Sequence, residues 1–301
     1  MNSKNRFNPV LAMLRLALLL LALGASGSSL AQKAAAKRAE PPSRIVLAIN
    51  EGGAANADAT ETLFKYQEFA EVVEKALRAQ IVIVAVRDRD KLRNALKKHE
   101  YPLLLARPND VPAEAIRDYG YQPIVAAKEP SQALFIVKKD SALKTIADVK
   151  GKTIVTPDQY SNMWRVANAM LRDAKITMAN EQVKAMRDQA AIGWSMENGF
   201  YDVGVINSVS GVARSWEKNG GRVIARSREL PNMPMIASPQ VSDEQITKMR
   251  AALIALDSSD GGKAILKKVG LTGFQYTSAK VFVDFLDWLG DLETAKNAGQ
   301  L

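Results

Sequence analysis

Short apolar runs alternate with amphipathic helical patterns along this chain, and the alternation begins twice. Arg44–Asn50 (RIVLAIN) reads as a buried strand. The helix Leu63–Leu77 carries Phe69, Val72, Val73, Ala76 and Leu77 on one face. A strand at Ile81–Val86, a charged helix at Asp90–Lys98 and a strand at Leu103–Ala106 follow, with Arg107-Pro108-Asn109-Asp110 as the loop at its C-terminal end. Strand–helix alternation of this kind builds a parallel sheet with helices on both faces.

Two further apolar runs, Ile124–Ala127 and Ala133–Val137, interrupt the order, and then the alternation restarts. Thr145 and Asp148 stand at capping-box spacing before Gly151. A strand at Thr153–Thr156 feeds a polar loop and an amphipathic helix from about Met163. The helix Asp188–Glu197 precedes a strand at Tyr201–Ile206, and the helix Ser210–Lys218 precedes one at Arg222–Ala225. After a Pro-rich segment, Leu230–Pro239, a second capping box (Ser242, Gln245) opens a helix, and two more helices close the chain. Two βα systems joined by extended segments, near Ala126–Ala133 and Arg226–Ile236, predict an α/β fold of two lobes with a cleft between them. The boundaries read as 44–130 plus 237–301 for lobe 1 and 131–236 for lobe 2. Ligands in such sheets bind beyond the carboxyl ends of the strands. That places Asn50–Gly53, Arg107–Asp110, Asp158–Asn162 and Asn207-Ser208 on the cleft.

Within this set the strand–loop–helix around Ser161 has two readings. Unpaired N–H groups and the positive dipole end make a helix N-terminus an anion cradle. Ser and Asn are also the ordinary residues of a helix cap, ligand or none.

Residues 1–31 read as a secretory signal peptide. Lys4, Arg6 and Arg15 precede the apolar run Leu16–Leu23, and Ser29-Leu30-Ala31 offers a cleavage site before Gln32. The run is well short of the roughly 20 residues needed to span a bilayer. Residues 32–43, Ala- and Lys-rich, read as a flexible mature N-terminus. The chain has no cysteine, so an exported protein of this sequence depends on its core rather than on disulfides, and about 270 residues suffice for that. Thiolate catalysis and sulfur-ligated metals are excluded. The single histidine, His99, lies on a charged helix face and reads as a solvated surface residue, which disfavours a zinc site. No cofactor is implied. The formal charge is +9, and residues 1–31 carry three of the positives and no negatives. Lys and Arg are spread along helix faces without interleaved aromatics, which argues against nucleic acid and is compatible with small anions.

The chain resembles the periplasmic solute-binding proteins of ABC importers, and among them the phosphate/phosphite/phosphonate-binding family. The similarity runs from Ile45 to Lys268. It is carried by LFKYQEFAEVVEKAL, by KDSALKTIADVKGKTIVTPDQYS, by ENGFYDVGVINS and by DSSDGGKAILKKVGLTGF. The resemblance implies a type II periplasmic-binding-protein fold and ligand oxyanions docked on the helix N-terminus where the family has Ser-Thr-Ser-Gly. Here that stretch reads Ser161-Asn162-Met163-Trp164. The first Ser is kept and Asn162 can still donate, but a hydroxyl is lost to Met163 and the Gly to Trp164. A family His falls near Gln189, a family acid near Asn207, and a family Gly-Pro becomes Arg107-Pro108.

Each lost oxyanion donor costs on the order of 1–3 kcal/mol unless replaced. Arg107 is either that replacement, as a bidentate cation, or a surface arginine at a strand end. Asn207 in place of an acid argues against an aminoalkyl cation. Trp164 can roof a ligand or pack between helices. Tyr160 and Tyr66 can reach the cleft or pack on helix flanks. The candidate ligand residues are therefore Asn50, Arg107, Asn109, Tyr160, Ser161, Asn162, Gln189 and Asn207. The resemblance implies non-catalytic capture of a small oxyanion by a monomer that closes around it and is recognised by an inner-membrane permease. An orphan receptor feeding a sensor or a non-ABC system has the same sequence requirements. An enzyme would need a base, nucleophile or metal, and the chain has no G-x-S-x-G, no H-E-x-x-H and no Cys/His pair.

Overall fold

The computed structural model describes residues 43–52, 59–107, 109–158, 161–177 and 182–290. The signal segment, nearly all of the expected mature N-terminus, and Tyr160 lie outside them.

The first alternation folds as read: β1 (Arg44–Asn50), α1 (Ala59–Leu77), β2 (Gln80–Ala85), α2 (Arg89–Lys97) and β3 (Leu103–Ala106), with β1 parallel to both β2 and β3. The apolar stripe of α1 buries Tyr66, Phe69 and Val73. After β3 comes a helix that the sequence did not announce, α3 (Asp110–Asp118).

The sheet is not wholly parallel. β4 (Gln122–Ser131) and β10 (Leu230–Ala237) enter it antiparallel, and β11 (Phe274–Gln275) completes the order β11-β4-β10-β3-β1-β2. Both long strands contain prolines, which remove ladder donors, and their pairing shifts register three times to absorb them. Because β10 belongs to this sheet, the return passage is Ser227–Glu229, upstream of the position 236 read from the sequence. The outward passage is Gln132 alone, between β4 and β5 (Ala133–Val137). The two passages are hydrogen-bonded to each other: the Gln132 amide donates to the Ser227 carbonyl at 2.8 Å, and the Ala133 N–H donates to Ser227 Oγ at 3.0 Å.

The second sheet has the order β7-β6-β8-β5-β9. It comprises β5 with β6 (Ile154–Pro157), β7 (Val183–Met186), β8 (Val203–Asn207) and β9 (Arg222–Arg226). β6 is parallel to β7 and β8, and β5 runs antiparallel to β8 and β9. Helices α4 (Asn162–Asp173), α5 (Gln189–Glu197) and α6 (Gly211–Trp216) pack on it. The Thr145–Asp148 and Ser242–Gln245 capping boxes both form.

The chain returns to the first sheet with α7 (Asp243–Ile254), α8 (Asp260–Lys268) and α9 (Ala279–Leu289); α7 and α8 pack on α1, and α9 on α3. Gly262 is required here, since a Cβ would lie 1.9 Å from the Leu256 carbonyl oxygen. One core cluster lies under the outer face of the first sheet, around Leu47, Phe69, Met249 and Phe274. A second joins the first sheet (Leu104), α3 (Val111), α9 (Phe282, Leu286), α4 (Val166, Met170) and the second sheet (Phe135, Val205). A third covers the far face of the second sheet, around Ile136, Ile192 and Trp216.

Candidate ligand site between the two sheets

The site starts where β1 and β3 end. Asn50 is buried and its carboxamide makes two hydrogen bonds. Nδ2 donates to the Val86 carbonyl at 2.8 Å, and Oδ1 accepts from the Gly52 N–H at 2.8 Å. Gly52 has φ +72° and a Cβ there would sit 3.0 Å from the Arg107 carbonyl oxygen, so only glycine lets the two strand ends approach. The Arg107 N–H closes the approach by donating to the Asn50 carbonyl at 2.7 Å. Asn50 therefore organises the strand ends with its Oδ1 and one of its two Nδ2–H donors.

Tyr66 does not reach an open cleft either. It is wholly buried, and its hydroxyl donates to Glu51 Oε1 at 2.8 Å, beside Lys65. Burial, followed by the charge of and hydrogen bond to Glu51, holds its phenol protonated far above the ordinary tyrosine range, while the nearby Arg107 cation opposes the shift.

The next residues behave differently. Arg107 is half-buried and its Nε has no partner. Asn109 occupies the cap position of α3 without making a cap bond. It is 4 % exposed and its Oδ1 is unpartnered. Asp110, the first residue of α3, is 0 % exposed. Burial alone would raise its carboxyl, but the guanidinium groups of Arg89 and Arg165 outweigh that and hold it below the ordinary aspartate range.

On the second sheet, the penultimate residue of β6 is Thr156, 4 % exposed with an unpartnered Oγ1. Ser161 caps α4, its Oγ accepting from the Trp164 N–H at 3.1 Å. The cap reading is thus correct, and the Ser161 hydroxyl proton is still free of that bond. Asn162, the first helical residue, is 5 % exposed with an unpartnered Oδ1. Trp164 is buried, in keeping with packing. Gln189 and Asn207 are brought together, but on each other: the Asn207 N–H donates to Gln189 Oε1 at 2.8 Å, and Asn207 Oδ1 accepts from the Val209 N–H.

The two helix starts meet. Arg165, 7 % exposed and one turn beyond Asn162, donates to Asp110 Oδ2 at 2.7 Å. That bond brings the N-terminal turns of α3 and α4 together, and with them Asn109 and Asn162. Among the described residues, five buried side-chain polar atoms lack a partner, and four belong to Arg107, Asn109, Thr156 and Asn162. Orphaned buried polar groups are costly, and four of them stand at or next to the ends of β3 and β6 and the starts of α3 and α4. The fifth is Nδ1 of His99, which is not the solvated residue expected: it stacks on Tyr121 with ring centroids 5.6 Å apart.

The family model that matches the chain is described as ABC transporter, phosphonate, periplasmic substrate-binding protein, and it matches residues 52–282. The chain belongs to this family. Solved structures share its fold at low identity. The Xanthomonas citri protein XAC2383 bound to ATP has a TM-score of 0.65 at 12 % identity, covering 84 % of this chain and 98 % of its own. Phosphonate-binding PhnD1 of Prochlorococcus marinus, in complex with methylphosphonate, has a TM-score of 0.61 at 12 % identity, covering 85 % and 99 %. A binding-protein component of an ABC phosphonate transporter of Pseudomonas aeruginosa has a TM-score of 0.56 at 15 % identity, covering 86 % and 98 %. Comparison with curated protein sequences gives no match. The two-sheet architecture is that of the type II periplasmic binding proteins, as the phosphonate-binding resemblance implied. Membership of this family makes the protein a transport substrate-binding component with a small solute as its ligand.

Proposed function

We propose that this phosphonate-binding-family protein captures a small tetrahedral oxyanion (phosphonate, phosphite or phosphate) between its two lobes in the periplasm. It then presents the bound anion, as a monomer and without turnover, to an ABC permease of the inner membrane. The reading is carried by two unpartnered buried donors, Arg107 Nε and the Thr156 hydroxyl; the Oδ1 atoms of Asn109 and Asn162, also unpartnered, can accept only from a protonated oxygen or another donor of the ligand. Arg107 supplies the cation, taking over from the donors that the family keeps and this chain lacks. Thr156 and the Ser161 hydroxyl supply neutral hydrogen bonds, and the α4 N-terminus adds its dipole. Asn109 and Asn162 face the ligand from opposite lobes. Asn50 supports this set through the backbone rather than touching the anion. Gln189 and Asn207 belong to the rim, and Tyr160 stays a candidate there.

Isothermal titration with methylphosphonate, phosphite, phosphate and methanesulfonate, paired with thermal unfolding, tests the reading. One-to-one binding of at least one phosphorus oxyanion is expected. At a ligand concentration 100 times Kd it should add about 2.7 kcal/mol of stability. No heat and no thermal shift with any of the four would sink it.

A further inference from the structure

The unpartnered polar atoms around the starts of α3 and α4 are not all of one kind. Arg107 Nε can only donate, and the Thr156 hydroxyl can donate or accept. The Oδ1 atoms of Asn109 and Asn162 can only accept, and no protein group donates to them. Their residues are 4 % and 5 % exposed, so these oxygens are as costly to strand as the donors are. The carboxylates nearby add acceptors and no donors. Glu51, directly after β1, takes Lys65 and the Tyr66 hydroxyl, and Asp110 takes Arg89, Arg165 and the Val111 N–H.

A fully deprotonated oxyanion is acceptor-only as well. It can satisfy Arg107 and Thr156, but it leaves both asparagine oxygens buried without a donor. These acceptors do not mark a separate end of the cleft, where an organic tail could meet them. Asn109 is two residues from Arg107, and Asn162 directly follows the cap residue Ser161. Acceptors and donors are interleaved, so the donor they need belongs to the anionic headgroup itself.

We infer that the site takes its oxyanion in the protonated form, a monoanion whose P–OH donates to the Oδ1 of Asn109 or Asn162. These two carboxamides are then the residues that select against oxyanions carrying no proton. The inference rests on the cleft reading above. A sulfonate has the shape and charge of a phosphonate monoanion but lacks the proton, and here it strands both acceptors. A site that hydrogen-bonds a ligand O–H discriminates strongly against the analogue without it.

Isothermal titration separates the proton from shape and charge. At mildly acidic pH, methylphosphonate and methanesulfonate are monoanions of the same shape. Methylphosphonate should bind at least about tenfold more tightly, in line with the cost of one stranded acceptor. Above its second ionisation its affinity should fall about tenfold for each pH unit. Trifluoromethylphosphonate loses its second proton at lower pH, and its fall should shift down with it. A fall at one common pH for both phosphonates would belong to a protein group at the site, such as Glu51, Lys65, Asp110 or Asp158, and would overturn the inference. Asn162→Leu and Asn109→Leu each remove one acceptor at similar volume, and whichever of them folds should narrow the preference over methanesulfonate about fivefold. Equal affinity for methylphosphonate and methanesulfonate overturns the inference and means that the carboxamides turn their Nδ2 donors to the anion. An affinity that stays flat or rises through the second ionisation overturns it too, as does a preference that the folded variants keep in full. In each of these cases phosphonate still binds and the cleft reading stands, whereas no heat with any of the ligands sinks both.

Discussion

Thr156 shows how a proposed binding residue differs from a structural one at the scale of a single side chain. It sits in a strand whose four residues are all buried, and its hydroxyl meets nothing in the protein. A core position of this kind is better filled by an isostere without the oxygen. Thr156→Val should therefore raise stability by about 1 kcal/mol, because it removes an unsatisfied buried group. It should also weaken oxyanion binding by roughly five- to tenfold, the worth of one neutral hydrogen bond. Urea unfolding and calorimetry on the same protein check both signs. A loss of stability would mean that the hydroxyl serves the fold. The sequence carried a signal for this residue, a polar side chain inside an apolar run, but threonine is common in strands and the run alone did not separate the two roles. Asn50 is the opposite case: it stands at a strand end that faces the cleft, yet its Oδ1 and one Nδ2–H serve Gly52 and Val86. Position in the chain was legible there; the hydrogen-bond partners, 36 residues away in one direction, were not.

Elements were legible where local pattern and tertiary packing agree. The amphipathic α1 and the capping boxes at Thr145 and Ser242 form as written. The departures have separate causes. α3 opens on Asn109 and carries Asp110 and Pro112 in its first turn, all ordinary start signals, but they follow directly on the strand-end loop at Arg107–Asp110 and so read as part of it. β10 contains two prolines and still runs through the middle of a sheet, because shifts of register place them away from the ladder. β7 is a four-residue edge strand with two exposed residues, too short and too open for its pattern to stand out. The start of α4 combines two functions that can be separated. Ser161 accepts the Trp164 N–H as a cap, and in the proposed site its proton points to the anion. Ser161→Asp retains a cap acceptor and adds a charge that the helix dipole favours. Stability should stay within about 0.5 kcal/mol of wild type, whereas oxyanion binding should be lost through repulsion. Ser161→Ala should instead lose about 1 kcal/mol of stability together with a smaller part of the affinity. If Ser161→Asp binds methylphosphonate normally, the α4 N-terminus is only a cap.

At the scale of the whole molecule, two sheets ordinarily suggest two folding units, and the sequence offers no reason to think otherwise. Packing argues for one. The core cluster that contains Leu104 of the first sheet also contains Phe135 and Val205 of the second, and α9 supplies Phe282, Phe285 and Leu286 at the join. These contacts bring together residues distant in sequence, which is why a reading from 1.5-turn patterns and strand runs could not find them. A shared core makes the folding of each sheet conditional on the other. Trp216 lies in the cluster on the far face of the second sheet, while Trp288 is on α9 at the join, donating to Asp173 of α4. Two variants that each keep one of these tryptophans, with Phe at the other three positions, report the two regions separately. Their urea transitions should coincide with each other and with the loss of helical circular dichroism. Phe282→Ala should move all three together by about 3–5 kcal/mol, the usual cost of truncating a buried aromatic. Two well-separated transitions would show that the lobes unfold independently.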